Sequence, residues 1–167
     1  MNEVVEKHYR DKSKEFFTGF AIEFPKICGN VGTAFRTCTS LGVADFLATV
    51  GERYHMPHSD TINAAKRVPT FNPKSFQELV ALTPLTCNLV DVELDPRAEP
   101  IETFDWPARC LLLFGSEDQG LSQQARKSCR WIIKLPAPDG FGMNLSASVA
   151  IVAWERLRWL QRQGFKK

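Results

Sequence analysis

Short apolar runs alternate with segments of helical periodicity along most of this chain. Runs rich in apolar and β-branched residues predict strands at residues 20–24, 43–50, 86–94, 110–114 and 131–135. Apolar positions spaced three and four residues apart predict helices over residues 30–41, 74–82, 122–129 and 144–162. Because strands and helices alternate, we expect an α/β fold with a mainly parallel sheet flanked by helices.

Composition sets the size and the broad class of the protein. With 167 residues, 44% of them hydrophobic, the chain can form one domain with a buried core, and we expect residues 1–167 to form it. Residues 1–15 carry charges of both signs, which predicts a solvated helix or a loose N-terminal arm. No apolar run approaches the ~20 residues of a membrane span, and the charged start lacks the apolar stretch of a signal peptide. The expectation is a cytoplasmic protein that does not act at a membrane.

The net charge, the cysteines and the histidines add little to the prediction of function. The formal net charge of +2 does not indicate a nucleic-acid-binding protein, but 21 Lys and Arg residues can still cluster on one face. The five cysteines are odd in number and include no CxxC pair, so reduced thiols are expected rather than disulfides or zinc ligands. His55 and His58 have no third ligand at a fixed spacing, and no metal site is predicted. Lys66 and Arg67, later in the same loop, either meet phosphate or are merely solvated.

The first candidate site lies in residues 28–42. Asn30 is predicted to cap the helix that follows, because its side-chain oxygen can accept hydrogen bonds from amides of the first turn. Gly42 is a natural stop at the other end. Gly32 and Arg36 are four residues apart and share a face of this helix. The same pattern also fits an ordinary capped helix with a surface arginine.

The second candidate site is a glycine-bracketed turn that follows the buried strand at residues 110–114. Gly115 and Gly120 flank the turn, and Glu117 lies within it. A strand that ends in such a turn at the carboxyl edge of a sheet is where α/β proteins place ligands. We expect Gly115 to lie against a ligand, so that a larger side chain would fill ligand space in a protein that still folds. An ordinary strand-to-helix turn with a solvated Glu117 is the alternative.

The third candidate site is the loop at residues 135–148. Two prolines and two glycines predict irregular backbone, and Asn144 or Ser146 can cap the long helix that runs to about residue 162.

That long helix has an unusual apolar pattern. Its apolar stripe is predicted at Ala147, Ala150, Ile151, Trp154 and Leu157. Because the first half of the helix is apolar almost all round, it needs a second buried surface, within a core or at a subunit interface. Three arginines, Arg156, Arg158 and Arg162, are expected to point towards water or phosphate.

These three stretches occur together in the order and spacing of a known family. They are Asn30-x-Gly32-x-x-x-Arg36 with Leu41-Gly42, then Phe114-Gly115-x-Glu117-x-x-Gly120-Leu121, then Leu135-Pro136 followed by Met143-Asn144-Leu145-Ser146. The combination resembles the SpoU/TrmH branch of the SPOUT RNA methyltransferases over roughly residues 19–160. The resemblance implies a knotted SPOUT fold, in which the C-terminal part of the α/β domain threads through a loop as a trefoil knot. Such a knot departs from the general rule that chains do not thread loops.

The resemblance also implies a reaction. Members of the family transfer a methyl group from S-adenosyl-L-methionine to a ribose 2′-hydroxyl in tRNA or rRNA, and they work as homodimers whose active sites use both subunits. The chain resembles the minimal, tRNA-modifying members most, so tRNA is the favoured RNA substrate and rRNA the alternative. Two other functions stay open: methylation of a base nitrogen, and a knotted RNA-binding or assembly protein without activity. Asn30 together with Arg36 favours the ribose branch.

The resemblance assigns residues to two groups. The positions that match the family's cofactor-binding residues are Val92, Gly115, Leu135, Gly142, Met143, Asn144 and Leu145. The positions that match the polar residues around the reacting centre are Arg36, Asn30, Glu117, Asn144 and Ser146. Gly142 stands where the family usually has serine, so a backbone contact is retained at that position and a hydroxyl role is not.

The chemistry suggests a role for each polar residue. Because a guanidinium stays protonated in proteins, we expect Arg36 to bind an RNA phosphate and stabilise the developing alkoxide, with the proton passing through that phosphate. Glu117 is expected to hold Arg36 or Asn30 by hydrogen bonds. Asn144 is expected to cap its helix and order the cofactor loop.

Overall fold

A computed structural model describes residues 15–51 and 63–165. The elements within these residues are β1 (Phe17–Glu23), α1 (Cys28–Ser40), β2 (Phe46–Val50), α2 (Ala64–Arg67), β3 (Thr70–Phe71), α3 (Phe76–Leu82), β4 (Asn88–Val92), β5 (Glu99–Pro100), β6 (Arg109–Phe114), α4 (Gln123–Ser128), β7 (Trp131–Lys134) and α5 (Leu145–Arg162). The N-terminal arm predicted at residues 1–15 lies outside the described residues except for Glu15, and so do His55 and His58. Lys66 and Arg67 end α2 and are exposed.

The strands form one parallel sheet, as predicted. Their order is β3-β2-β1-β6-β4-β7-β5, and every pair of neighbours is parallel. The five predicted strands and four predicted helices are present, with boundaries that differ by a few residues. The sequence pattern missed α2, β3 and β5, because elements of two to four residues carry no usable periodicity. The trefoil knot stays a prediction.

Helices cover both faces of the sheet, and side chains of the strands alternate between two apolar layers. Phe20 and Ile22 of β1 lie in the layer under α1 and α5, whereas Phe17 and Ala21 lie in the layer under α3 and α4. All seven residues of β1 are buried, as expected for a central strand covered on both faces. This sandwich fixes the carboxyl ends of β1, β6 and β4 side by side at one edge of the sheet.

The start of α1 differs from the prediction. The helix begins at Cys28, its N-cap is Ile27, and no side chain of the cap residue accepts a hydrogen bond there. Asn30 is therefore inside the first turn rather than at the cap, and its side chain is available for other partners. The predicted stop is confirmed, since Gly42 has φ of 66° just beyond the helix.

The buried face of α5 is also different from the one predicted. The core side of the helix carries Leu145, Val149, Val152, Ala153, Arg156 and Leu160, whereas the predicted stripe at Ala147, Ala150, Ile151, Trp154 and Leu157 is exposed or half-buried. The helix is apolar on both faces, so periodicity alone could not identify the core side.

Arg156 was expected to point towards water or phosphate, and this is wrong because the side chain is fully buried. Its guanidinium donates to Thr18 Oγ1 at 2.9 Å and to the carbonyl oxygens of Pro107 and Ala108 at 2.9 and 2.8 Å. It also lies over the ring of Trp159, with 4.6 Å between Cζ and the ring centroid. The buried guanidinium thus has hydrogen-bond acceptors in the Thr18 hydroxyl and in main-chain oxygens. The same bonds connect α5 to the amino ends of β1 and β6. Arg158 and Arg162 are exposed, as predicted.

Candidate functional site

A cavity of about 680 Å³ opens at the carboxyl ends of the central strands. Strands β1, β6, β4 and β7 are parallel neighbours, so the segments that follow them meet at the same edge of the sheet. The wall comes from the start of α1, the end of β4, the glycine turn after β6 and the loop between β7 and α5. All three candidate segments of the sequence therefore contribute to one cavity.

Most of the predicted site residues lie in this wall. Those that line it are Asn30, Val92, Gly115, Glu117, Leu135, Gly142, Met143, Asn144 and Leu145. Ser146 is hydrogen-bonded to Asn144 just behind the wall. Arg36 is exposed on α1, about 9 Å further along the helix axis than Asn30.

Three polar side chains join the three segments by hydrogen bonds. Asn30 Nδ2 donates to Glu117 Oε1 at 2.9 Å, and Asn144 Nδ2 donates to Asn30 Oδ1 at 3.3 Å. Asn30 therefore links the glycine turn to the loop before α5, using both ends of its carboxamide. The link between Glu117 and Asn30 is one of the two that the sequence predicted, and no hydrogen bond joins Glu117 to Arg36 in the described part of the chain.

Asn144 orders the start of α5. It is the N-cap of that helix, as predicted, and its Oδ1 accepts hydrogen bonds from the Ser146 amide at 2.9 Å and from Ser146 Oγ at 2.7 Å. The carboxamide oxygen of Asn144 accepts hydrogen bonds from Ser146 in α5, and its nitrogen donates to Asn30. These bonds fix the orientation of the whole side chain.

Glu117 also holds the segment between β1 and α1. Its carboxylate accepts from the amides of Lys26 at 3.0 Å and Ile27 at 3.4 Å, and Lys26 Nζ forms an ion pair with the neighbouring Asp118. Partial burial acts to raise the pKa of Glu117, but these amide bonds and the bond from Asn30 outweigh it, and the pKa lies below its ordinary value. Glu117 is therefore ionised at neutral pH and acts as an acceptor that holds other groups.

Gly115 lines the cavity, but the structure requires a glycine there because of close packing within the turn rather than because of a ligand. A Cβ at this position would lie 1.9 Å from the carbonyl carbon of Gly120 and 2.2 Å from the amide nitrogen of Leu121. The turn folds back so tightly on itself that its own backbone fills the space. The expectation that a larger side chain at Gly115 would exclude a ligand from an otherwise folded protein is therefore wrong.

Gly142 has no such restriction. A Cβ there would meet only Leu94 Cδ1, at an ordinary contact distance of 3.9 Å, and its φ is outside the left-handed region. The backbone thus accepts the serine that the family usually has at this position.

A charged residue of the cavity wall belongs to none of the three candidate segments and was not predicted from the sequence. Arg126 of α4 lines the cavity beside Glu93, and its Nη2 donates to Asp95 Oδ2 at 2.9 Å. Its Nε lies 3.8 Å from Oδ2 of Asp91, which is fully buried. No sequence motif indicated this cluster, because α4 and the end of β4 are brought together only by the sheet order.

Asp91 is the most perturbed carboxyl group of this cluster. Neither of its oxygens accepts a hydrogen bond from a described residue. Burial, and next the negative charge of Glu93, raise its pKa to about 7, while the positive charge of Arg126 acts in the opposite direction. In residues 15–51 and 63–165, no group of three or more His, Cys, Asp or Glu is arranged to hold a metal ion.

The same substitution at two cavity glycines, Gly115 and Gly142, should have different effects on stability. Gly115→Ala should lower the free energy of unfolding by about 1–3 kcal/mol, because the new methyl group collides with backbone that cannot move aside. Gly142→Ala should change it by less than about 0.5 kcal/mol. Urea denaturation of the two variants measures both values. Equal effects would contradict the assignment of Gly115 to close packing within its own turn.

Comparisons with known proteins agree with this arrangement. The family model described as the SpoU rRNA Methylase family matches residues 20–154. A curated relative, the tRNA (cytidine/uridine/adenosine-2'-O-)-methyltransferase TrmJ of Pseudomonas aeruginosa, is 26% identical over 153 residues, which cover 81% of this chain and 59% of the relative.

Solved structures share the fold. The SpoU methyltransferase AviRb of Streptomyces viridochromogenes superposes with a TM-score of 0.76 at 24% identity, covering 89% of this chain and 61% of that one. An AdoMet-bound rRNA methyltransferase of Sinorhizobium meliloti superposes with a TM-score of 0.77 at 20% identity, covering 95% and 61% of the two chains. The chain thus spans about three fifths of the length of these relatives. Because the family model matches most of the sequence, including the three candidate segments that line the cavity, the chain belongs to the SpoU rRNA Methylase family.

Proposed function

We propose that this protein transfers a methyl group from S-adenosyl-L-methionine to the 2′-hydroxyl of a ribose in RNA. The observation that carries the proposal is the hydrogen-bonded link of Glu117, Asn30 and Asn144 around one cavity, in a chain of this family. The activity for which the TrmJ relative is named favours a 2′-hydroxyl acceptor and tRNA as the substrate, with rRNA as the alternative. A single domain over residues 1–167 and a cytoplasmic location stay predictions. No helix of the described residues is long and apolar enough to cross a membrane.

The cavity fits the proposed cofactor in size and chemistry. Its volume of about 680 Å³ is within the range of about 300–1,000 Å³ usual for small-molecule sites. Val92, Leu135 and Leu145 provide apolar wall, which suits a flat purine base. The carboxylates of Glu93 and Glu117 provide negative charge, which suits a cation. Residues Gly142–Leu145 and Gly115 would hold the molecule through the backbone, as the matching family positions do.

The chemistry required of the protein is mainly alignment and charge stabilisation. When bound, S-adenosyl-L-methionine supplies a methyl group on a positively charged sulfur, so the donor is already activated. The chain must hold a ribose hydroxyl in line with that group and exclude competing water. Asn30 and Asn144, fixed by their mutual hydrogen bond, are the neutral polar groups suited to orient the acceptor.

The two charged residues have separate tasks in this mechanism. Glu117 is ionised and already accepts two amide hydrogen bonds, so it holds Asn30 and the start of α1 in place. Arg36 is exposed on α1 and can bind the phosphate next to the target ribose through charge-assisted hydrogen bonds. Because the guanidinium stays protonated, it stabilises the developing alkoxide while the hydroxyl proton passes to a phosphate oxygen.

The product and the effect of Arg36→Ala test this proposal together. Tritium from labelled S-adenosyl-L-methionine should enter tRNA from a strain that lacks the enzyme, and alkaline hydrolysis should leave the label in alkali-resistant dinucleotides. Arg36→Ala should lower the rate about 100- to 1000-fold, because a group that stabilises transition-state charge is lost. Its melting temperature and cofactor affinity should be unchanged, since Arg36 is exposed.

Arg162→Ala is the matched control, because Arg162 is also exposed but lies at the far end of α5 from the cavity. Label in ordinary mononucleotides would mean that a base is methylated. Transfer to rRNA alone would favour the alternative substrate. A protein that binds RNA without binding the cofactor would be an RNA-binding or assembly protein.

We also propose that the protein is a homodimer with α5 at its interface. The face of α5 that points away from the core carries Ala147, Ala150 and Trp154, whereas Ile151 and Leu157 flank it and are half-buried against the core. Trp154 is 51% exposed, which is unusual for so large an apolar side chain on a helix. A second copy of the same surface would cover it in an isologous contact.

Sedimentation at micromolar concentration tests the dimer. The mass should be about twice the 18.9 kDa of one chain, and Trp154→Glu should shift it to that of the monomer by placing a charge in the interface. Val80→Glu is the control, because Val80 is 44% exposed on α3, on the other face of the sheet. An unchanged mass in both variants would exclude this face of α5 as the interface.

A further inference from the structure

Arg126 is the only cationic side chain among the described residues that line the cavity. The other charged groups in the wall are the carboxylates of Glu93, Glu117 and Asp118. Asp118 is paired with Lys26 outside the wall, and Glu117 holds the amides before α1. Carboxylates therefore outnumber cationic side chains by three to one in the described wall.

Two carboxylates, those of Asp95 and Asp91, lie next to the Arg126 guanidinium. One N–H donates to Asp95, whose carboxylate is also held by Arg97 through bonds of 2.9 Å from both Nε and Nη2. The buried Asp91 lies 3.8 Å from Nε. A guanidinium has five N–H donors, so most of those of Arg126 are not used by Asp95. The side chain is 39% exposed, and Arg126 is one of the residues that line the cavity.

We propose that Arg126 binds the carboxylate of the amino-acid part of S-adenosyl-L-methionine and thereby selects cofactors that carry this group. The inference rests on the proposed function, because it assumes that this cofactor occupies the cavity. The cofactor has two cationic centres, the sulfonium and the ammonium, and one anionic group. Three carboxylates and one guanidinium in the wall complement these charges, and among the described residues of the wall only Arg126 offers the anion a positive charge.

The contact also suits the geometry of the two groups. A guanidinium and a carboxylate form parallel charge-assisted hydrogen bonds, which give both strength and a defined direction. Asp95 acts as a positioning residue, because its hydrogen bond orients the guanidinium before the ligand enters. The neighbouring Glu93 would then face the ammonium group of the same amino acid.

Calorimetry with two ligands tests this assignment on the protein itself. The ligands are S-adenosyl-L-methionine and its decarboxylated form, which differ only in the carboxylate. The wild-type protein should bind the first about 10- to 100-fold more tightly, the usual range for a hydrogen-bonded charge pair. Arg126→Gln should remove most of this preference by weakening the binding of S-adenosyl-L-methionine alone. Lys127→Gln, the same change of charge at the exposed neighbour on α4, should retain the preference.

The outcomes separate this inference from the function on which it rests. Equal affinity of the wild-type protein for the two ligands would overturn the role of Arg126 and leave the proposed function intact. Failure to bind either ligand would contradict the proposed function as well. If Arg126→Gln retains the preference and weakens RNA binding instead, Arg126 contacts RNA and the inference is wrong. The wild-type comparison is decisive even if Arg126→Gln folds poorly.

Discussion

The carboxamide of Asn30 is the interaction on which the arrangement of this site depends. One end of it donates to Glu117 in the turn after β6, and the other accepts from Asn144 at the start of α5. These residues are separated by 87 and 114 positions in the sequence. A carboxamide can make both bonds at once because it has a donor group and an acceptor group at opposite ends. An ionised carboxylate could not replace it, because a carboxylate has no hydrogen to donate to Glu117.

The parallel sheet brings those residues within reach of Asn30. Strands β1 and β6 are hydrogen-bonded neighbours, so the segments that follow Glu23 and Phe114 emerge next to each other. Glu117 is ionised there and accepts the amides of Lys26 and Ile27, which places a fixed negative charge at the start of α1. Arg36 lies further along the same helix and keeps an exposed guanidinium for an external anion. In the proposed mechanism, organising the site and stabilising charge during the reaction are thus tasks of different residues.

Much of this site could be predicted from the sequence, because its motifs follow strands of an α/β sheet. The carboxyl ends of such parallel strands meet at one edge, where ligands bind. The cap at Asn144 is a local consequence of side-chain chemistry and was predictable. The contact of Glu117 with Asn30 spans 87 positions and was one of two alternatives expected from the family resemblance. The environment of Arg156 was not predictable, since its partners are the Thr18 hydroxyl and main-chain oxygens at the other edge of the sheet. Gly115 was assigned to the cavity correctly, but the close approach of Gly120 that requires a glycine is visible only in three dimensions. The contact between Arg126 and Asp91 depends on packing across the sheet, and no pattern in the sequence indicates it.

A double-mutant cycle of Asn30→Ala and Asn144→Ala, measured as affinity for S-adenosyl-L-methionine, tests the central claim most directly. If the two side chains act as one unit, the double variant should be little worse than the weaker-binding single variant, with a coupling free energy of about 1–2 kcal/mol. Asn88 is the control partner for Asn30, because its Nδ2 donates to the Arg109 carbonyl at the amino edge of the sheet, far from the cavity. The cycle with Asn88→Ala should therefore be additive. Additive losses for Asn30 and Asn144 as well would contradict the claim that their hydrogen bond holds the site together.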